Sequence, residues 1–112
     1  MRTIKIYKDY YKQFYVSQTI PVRKKIDFVI ELIKRVDRVP VTYLKQIEGV
    51  AGLYEIRVEF ASNIYRIFCC NDEGNLVILF NGFQKKSQKT PNKEIGKAIK
   101  IMKEYFDEKK GK

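Results

Sequence analysis

The fold is decided by a central stretch of three apolar-rich runs: 53–60 (LYEIRVEF), 64–70 (IYRIFCC) and 76–83 (LVILFNGF). Each run is rich in β-branched and aromatic residues, which is typical of strands. The segments between them, 61–63 (ASN) and 71–75 (NDEGN), are short and contain turn-forming residues. Connections of this length join antiparallel neighbours, so the stretch predicts an antiparallel three-stranded meander.

The residues before the meander predict a strand and a helix. Apolar and charged residues alternate over 4–7, which indicates a short N-terminal strand. From Pro21 to Arg38 apolar residues recur at helical spacing, with Thr19 as a possible cap and the proline suited to the first turn. Two segments stay open at this point: 10–15 as a helical turn or a covering loop, and 41–47 as a short helical segment.

The residues after the meander predict a second long helix. It would open at Thr90-Pro91, a cap residue followed by a first-turn proline. Its apolar face would comprise Ile95, Ala98, Ile99, Met102, Tyr105 and Phe106. Residues 109–112 have nothing to bury, so they are expected to fray.

These elements predict a single α+β domain over residues 1–112. The predicted architecture is a twisted antiparallel sheet, made of the meander and the N-terminal strand, with the helices packed on one face. The other face of the sheet would then remain partly open.

The charge balance favours a polyanionic partner. The chain carries 23 Lys and Arg against 13 Asp and Glu, a formal net charge of +10 in 112 residues. Nucleic acid is the leading class of partner, and a strongly acidic protein or simple solubility are the alternatives. No apolar run has the length of a signal peptide or a membrane span, so we expect a cytoplasmic protein without a membrane partner.

The two cysteines are adjacent in a predicted strand, so Cys69 and Cys70 should point to opposite faces of the sheet as buried, reduced thiols. The chain has no histidine, the commonest metal ligand and the usual proton carrier near neutral pH. Two cysteines without histidine complete a tetrahedral zinc site only if carboxylates supply the other ligands, so we expect no metal.

Two arginines fall on the polar face of the meander. If Ser62-Asn63 forms a two-residue hairpin loop, Glu59 lies opposite Arg66 and Arg57 lies opposite Phe68. Cross-strand ion pairs of a solvated sheet explain such a pattern without any function. A functional interpretation requires further basic residues.

Those residues occur in 83–91 (FQKKSQKTP), between the last strand and the last helix. Lys85, Lys86 and Lys89 supply positive charge, and Ser87 and Thr90 supply hydroxyl donors. Backbone amides at the start of a helix add partial positive charge. The segment is either a polyanion site or a merely solvated basic loop.

Three blocks of sequence resemble a known family. They are 52–57 (GLYEIR), 65–68 (YRIF) and 79–91 (LFNGFQKKSQKTP), followed by Glu94-Ile95 and Ala98. In order and spacing they resemble the phage-derived HigB-like branch of the RelE toxin superfamily. The likeness is close over 53–106 and holds only in outline before that.

The resemblance implies a ribonuclease toxin of a type II toxin–antitoxin pair. Such toxins cleave messenger RNA, commonly on the ribosome, use no metal or other cofactor, and are held inactive by a helix-turn-helix (HigA-like) antitoxin. By matching position, the candidate catalytic residues are Arg57, Arg66, Lys85 and Lys86. We expect Arg66 to bind the phosphate with Arg57 assisting, and one of the two lysines to be either the general base or a phosphate clamp.

Further RNA contacts are expected from Lys45, Ser87, Lys89 and Thr90. Strand alternation turns Tyr65 away from Arg66 and into the core. The aromatic residues Tyr10, Tyr11 and Tyr15 could stack on bases, although packing explains them better.

Two other functions fit the same residues. One is a non-catalytic RNA- or ribosome-binding module, for which the absence of histidine is the argument. The other is a protein-interaction subunit whose basic face holds an acidic antitoxin.

Overall fold

The chain folds into helices and a five-stranded sheet, described by a computed structural model over residues 2–85 and 90–111. In chain order the elements are β1 (Ile4–Ile6), α1 (Tyr10–Val16), α2 (Ile20–Arg35), β2 (Leu44–Gln46), β3 (Leu53–Phe60), β4 (Asn63–Asp72), β5 (Asn75–Lys85) and α3 (Asn92–Lys110). The α+β class and the N-terminal strand are as predicted.

The sheet is mixed, which corrects the prediction of a purely antiparallel one. Its strand order is β1-β5-β4-β3-β2, and β1 pairs in parallel with β5 while the other neighbours are antiparallel. The segment 41–47, which the sequence allows to be a short helix, instead contributes the edge strand β2, in which Leu44 pairs with Ile56. The segment 10–15 belongs to the helix α1.

Helices cover both faces of the sheet, so the prediction that they share one face is wrong. Helices α1 and α2 pack on the face that carries Ile56, Ile67 and Cys69. Helix α3 packs on the opposite face, where Ala98 and Ile101 contact an apolar group that includes Leu53 and Cys70. The alternation that places Glu55 and Arg57 on one face of β3 also places Leu53 there, and α3 removes Leu53 from water.

The two cysteines behave as predicted. Cys69 and Cys70 are both buried and free, and they belong to the apolar clusters on opposite sides of the sheet. Burial raises the pKa of both thiols, the Cys70 thiol to about 12. Both side chains therefore act as small apolar groups.

The helix boundaries differ from the prediction at their ends. Thr19 occupies the N-cap position of α2 but makes no side-chain capping bond, and Pro91, not Thr90, precedes the first residue of α3. On α3 the residue Ile101 is buried, whereas Ile99 is 38% exposed. Residues 109–112 are predicted to fray, but α3 extends to Lys110 and so includes the first two of them.

An ion pair holds the end of α3 against the sheet. The Lys109 Nζ lies 2.8 Å from Asp72 Oδ1, and the Tyr105 hydroxyl donates to Asp72 Oδ2 at 2.5 Å. The bond from Lys109, reinforced by that from Tyr105, lowers the pKa of the buried Asp72 carboxyl. Burial, followed by the bond to Asp72, raises the pKa of Tyr105 to about 12.

We expect Asp72→Asn to destabilise the fold by about 2 kcal/mol, because it removes charge-assisted hydrogen bonds. A carboxyl with a lowered folded-state pKa stabilises the fold above its unfolded pKa, and this contribution is lost as pH falls through the folded pKa. Urea unfolding of the wild type should therefore lose stability from roughly pH 5 downwards, and the Asn variant should lose less. The control is Asp107→Asn, which breaks an exposed pair with Lys103. Equal stability of the two variants would contradict the prediction.

Candidate anion-binding site

The hairpin between β3 and β4 brings two arginines directly opposite each other. Arg57 pairs with Arg66, and Glu59 pairs with Ile64, so the predicted register with Glu59 opposite Arg66 is wrong. The reason is the position of the turn. Its two residues are Ala61 and Ser62, both with positive φ, instead of Ser62 and Asn63. This shifts the pairing by two residues and therefore keeps both arginines on the same face.

A buried carboxylate compensates the two like charges. The Glu55 Oε1 lies 3.7 Å from Arg57 Nε and 3.6 Å from Arg66 Nε, and the glutamate is only 4% exposed. These distances allow charge attraction but are too long for good hydrogen bonds. The sequence places Glu55 on the correct face beside Arg57, but only the true register brings it to Arg66.

The Arg66 guanidinium is fully buried, and its hydrogen-bonding capacity is only partly used. Its Nη1 donates to the Tyr65 carbonyl at 3.1 Å. The Arg66 Nε and Nη2 and the Arg57 Nε are buried without a hydrogen-bond acceptor in the part of the chain that the structure describes. Buried donors are nearly always satisfied in folded proteins, so these three are the donors that a bound anion would satisfy.

The charge environment of Arg66 also favours a bound anion. Burial, followed by the neighbouring charge of Arg57, lowers the pKa of Arg66, although an arginine still remains charged at neutral pH. Because a buried cation without full compensation costs free energy, an anion at this position would stabilise the site.

Lys85 adds a further cation on the same face. It ends β5, opposite Ile64 and two residues beyond Phe83, the partner of Arg66. It therefore belongs to a strand and not to the connecting segment assumed from the sequence. Burial, followed by the charge of Arg66, lowers the pKa of Lys85, and the residue is only 5% exposed.

An open cavity of about 350 Å³ reaches Arg57 and Glu55, whereas Arg66 and Lys85 lie behind its lining. Its lining includes Lys45, Glu55, Arg57, Thr90 and Asn92. Lys45 reaches it from β2, where it pairs with Glu55. The Thr90 hydroxyl donates to Glu55 Oε2 at 2.8 Å, so this side chain ties the start of α3 to the carboxylate and does not cap the helix.

The structure therefore brings together five of the predicted site residues: Arg57, Arg66, Lys85, Lys45 and Thr90. The other three, Lys86, Ser87 and Lys89, lie outside the described residues. Sequence reasoning missed the central place of Glu55. The available signal was its alternation with Arg57 on the polar face of β3.

The aromatic residues pack, as helical spacing predicts for Tyr10, Tyr11 and Tyr15 and strand alternation predicts for Tyr65. Tyr65 is 4% exposed on the face opposite Arg66 and contacts Phe14. Tyr11 belongs to the same apolar cluster, and the Tyr15 hydroxyl donates to Asp27 at 2.8 Å. Tyr10 packs against the cluster under α3. These contacts account for all four side chains without a base-stacking role.

Among the described residues, 2–85 and 90–111, no cluster of three or more Cys, Asp or Glu is arranged to hold a metal ion. No helix in these ranges has the length and apolarity to cross a membrane.

Fold and site together define a small, basic α+β protein in which a buried and a half-buried arginine lie side by side next to an open cavity. The chain belongs to the family of phage-derived Gp49-like proteins (DUF891), whose family model matches residues 14–103. This family is associated with the toxins of toxin–antitoxin pairs. No curated protein matches the chain. The matched range runs from α1 into α3 and contains the four cations of the site, Lys45, Arg57, Arg66 and Lys85.

Proposed function

We propose that this protein is the toxin of a type II toxin–antitoxin pair and that it cleaves messenger RNA, as in the HigB-like branch of the RelE superfamily. The observation that carries the proposal is the set of buried, unsatisfied arginine donors at Arg57 and Arg66. A phosphodiester is an anion whose oxygens match the forked donors of a guanidinium. The association of the Gp49-like family with such toxins supports the same conclusion.

The reaction is an attack of the ribose 2′-hydroxyl on the adjacent phosphorus. A base removes the 2′-hydroxyl proton, the new P–O bond forms, and the bond to the 5′-oxygen breaks as that oxygen accepts a proton from an acid. The products are a 2′,3′-cyclic phosphate and a 5′-hydroxyl. Negative charge accumulates on the phosphorane oxygens, where Arg66 and Arg57 would donate hydrogen bonds.

Lys85 is the described lysine best suited to proton transfer. Its lowered pKa makes a neutral amine more accessible near pH 7 than for an exposed lysine. If it remains charged instead, the same amine clamps the phosphate. Lys86 keeps the same two predicted roles from its place in the sequence.

The partners follow from this function. The substrate is messenger RNA, cleaved on the ribosome and therefore in the cytoplasm, and the inhibitor is a helix-turn-helix (HigA-like) antitoxin. The reaction as proposed draws on side chains alone, without a metal or other cofactor.

The direct test is to map RNA 5′ ends after brief induction in cells, with and without a block on translation. We expect new 5′-hydroxyl ends inside translated messages, which disappear when translation is blocked. New ends that persist under the block would indicate cleavage of free RNA. Growth arrest without new ends would favour a non-catalytic ribosome-binding module, and neither arrest nor ends would favour an antitoxin-binding subunit.

A further inference from the structure

A stripe of lysines runs along the exposed side of α3. Lys93, Lys97 and Lys100 are separated by four and three residues, which places them on one helix face, and all three are exposed. At 1.5 Å per residue the stripe extends about 10 Å along the helix axis.

These lysines lack the ion pairs that lysines in the C-terminal half of α3 make. Lys103 pairs with Asp107, and Lys109 pairs with Asp72. Among the described residues no carboxylate lies within ion-pair distance of Lys93, Lys97 or Lys100. Glu104, four residues after Lys100, is engaged by Lys8 and by the Tyr7 hydroxyl. Lysines four residues apart repel each other, so the stripe costs helix stability.

Gly96 lies within the stripe. It is three residues after Lys93 and four before Lys100, and nothing comes within 4 Å of the position that its Cβ would occupy. An exposed glycine inside a helix costs about 1 kcal/mol relative to alanine. The missing side chain lets an extended ligand approach the helix backbone closely between the two lysines.

The stripe begins one residue along α3 from the cavity. Asn92, which precedes Lys93, lines that cavity together with Arg57 and Glu55, whereas the lysines of the stripe lie outside its lining. A polyanion with one phosphate in the cavity would therefore meet Lys93 first on leaving it, followed by the rest of the stripe.

We propose that Lys93, Lys97, Lys100 and Gly96 form a track for the sugar–phosphate backbone of single-stranded RNA leading away from the cavity. The occupant is the same RNA chain whose phosphate binds at the arginine pair, so this inference rests on the proposed function. The track is sequence-independent, because lysines contact phosphates and do not read bases.

The test measures binding of a 2′-O-methyl oligonucleotide, which lacks the attacking hydroxyl, by fluorescence anisotropy over a range of salt concentrations. The variant is the triple Lys93→Gln, Lys97→Gln, Lys100→Gln. The control is Lys12→Gln, Lys24→Gln, Lys34→Gln, which removes the same charge from α1 and α2 on the other side of the sheet. Thermal unfolding checks that both variants fold.

Each phosphate contact contributes roughly 0.7 to the slope of log affinity against log salt for a single strand. The α3 triple should therefore lower the slope by about 2 and weaken binding roughly 100-fold at about 0.1 M salt, whereas the control should change neither. A dinucleotide probe, too short to leave the cavity, should bind both variants like the wild type.

Equal losses of oligonucleotide affinity in the two triple variants would overturn the proposed track and leave the ribonuclease proposal standing. So would an α3 triple that binds the oligonucleotide normally but binds ribosomes weakly, since the lysines would then contact ribosomal RNA. Absence of oligonucleotide binding by the wild type would also overturn the track. The mapping of RNA 5′ ends decides independently whether the ribonuclease function fails with it.

Discussion

Arg66→Lys should lower the rate of RNA cleavage by about 100-fold or more while the protein stays folded, because one preorganised donor to a transition-state oxyanion is worth about that much. Lysine keeps the positive charge beside Glu55 and loses the guanidinium fork. The donors that it removes include Nε and Nη2, which have no acceptor in the described residues. The substitution therefore separates phosphate recognition from charge compensation.

The choice of lysine follows from burial. Arg66 is fully buried, so alanine would leave both a cavity and an incompletely paired Glu55, and a loss of activity could then reflect unfolding. The control is Arg35→Lys, at an exposed ion pair with Glu31 on α2. Cleaved 5′ ends are quantified after induction, and thermal unfolding reports on the fold. A folded Arg66→Lys protein that cleaves as fast as the wild type would remove the guanidinium from the mechanism.

The second large effect is on stability. Glu55→Gln should destabilise the fold by about 3–5 kcal/mol, the usual cost of removing one partner from a buried ion pair. Glu55 is the carboxylate within ion-pair distance of both Arg57 and Arg66. Glutamine has nearly the same shape and can still accept the Thr90 hydroxyl bond, so the loss reports on charge.

Glu59→Gln is the matched control, because Glu59 lies two residues further along β3 and is exposed. It should change stability by less than about 0.5 kcal/mol. Urea unfolding of the two variants measures the difference. If both variants are equally stable, Glu55 does not compensate the arginines.

An added anion should partly rescue the Glu55 variant. Inorganic phosphate that binds the folded state stabilises it by mass action, and removal of the competing carboxylate should tighten that binding. The midpoint of thermal unfolding should therefore rise more steeply with phosphate in Glu55→Gln than in Glu59→Gln. Parallel responses would argue against an anion site at the arginine pair.

Much of the site was predictable from local pattern. Strand alternation combined with a two-residue turn places Arg57 and Arg66 on one face and Tyr65 on the other, whereas a one-residue change of register would separate the two arginines. The same alternation separates Cys69 from Cys70. Helical periodicity identifies α2 and α3, although it assigns Ile99 to the buried face in place of Ile101.

The register of β3 against β4 and the position of α3 over the sheet were not predictable from local pattern. The pairing of Arg57 with Arg66 depends on a turn centred on Ala61 and Ser62, two residues with positive φ that the sequence does not mark as clearly as Asn-Gly would. The place of α3 depends on Leu53, whose burial requires an element almost forty residues later in the chain.

The sequence by itself thus determined the α+β class, the strands of the meander, the two long helices and the common face of the two arginines. These properties depend on periodicity and turn composition, which act between near neighbours in the chain. Only the tertiary structure decided that Glu55 lies between both arginines, that Thr90 donates to it, and that α3 closes the apolar half of that face. Those contacts join residues far apart in the chain, 35 positions in the case of Thr90 and Glu55, and depend on register and packing across the whole sheet.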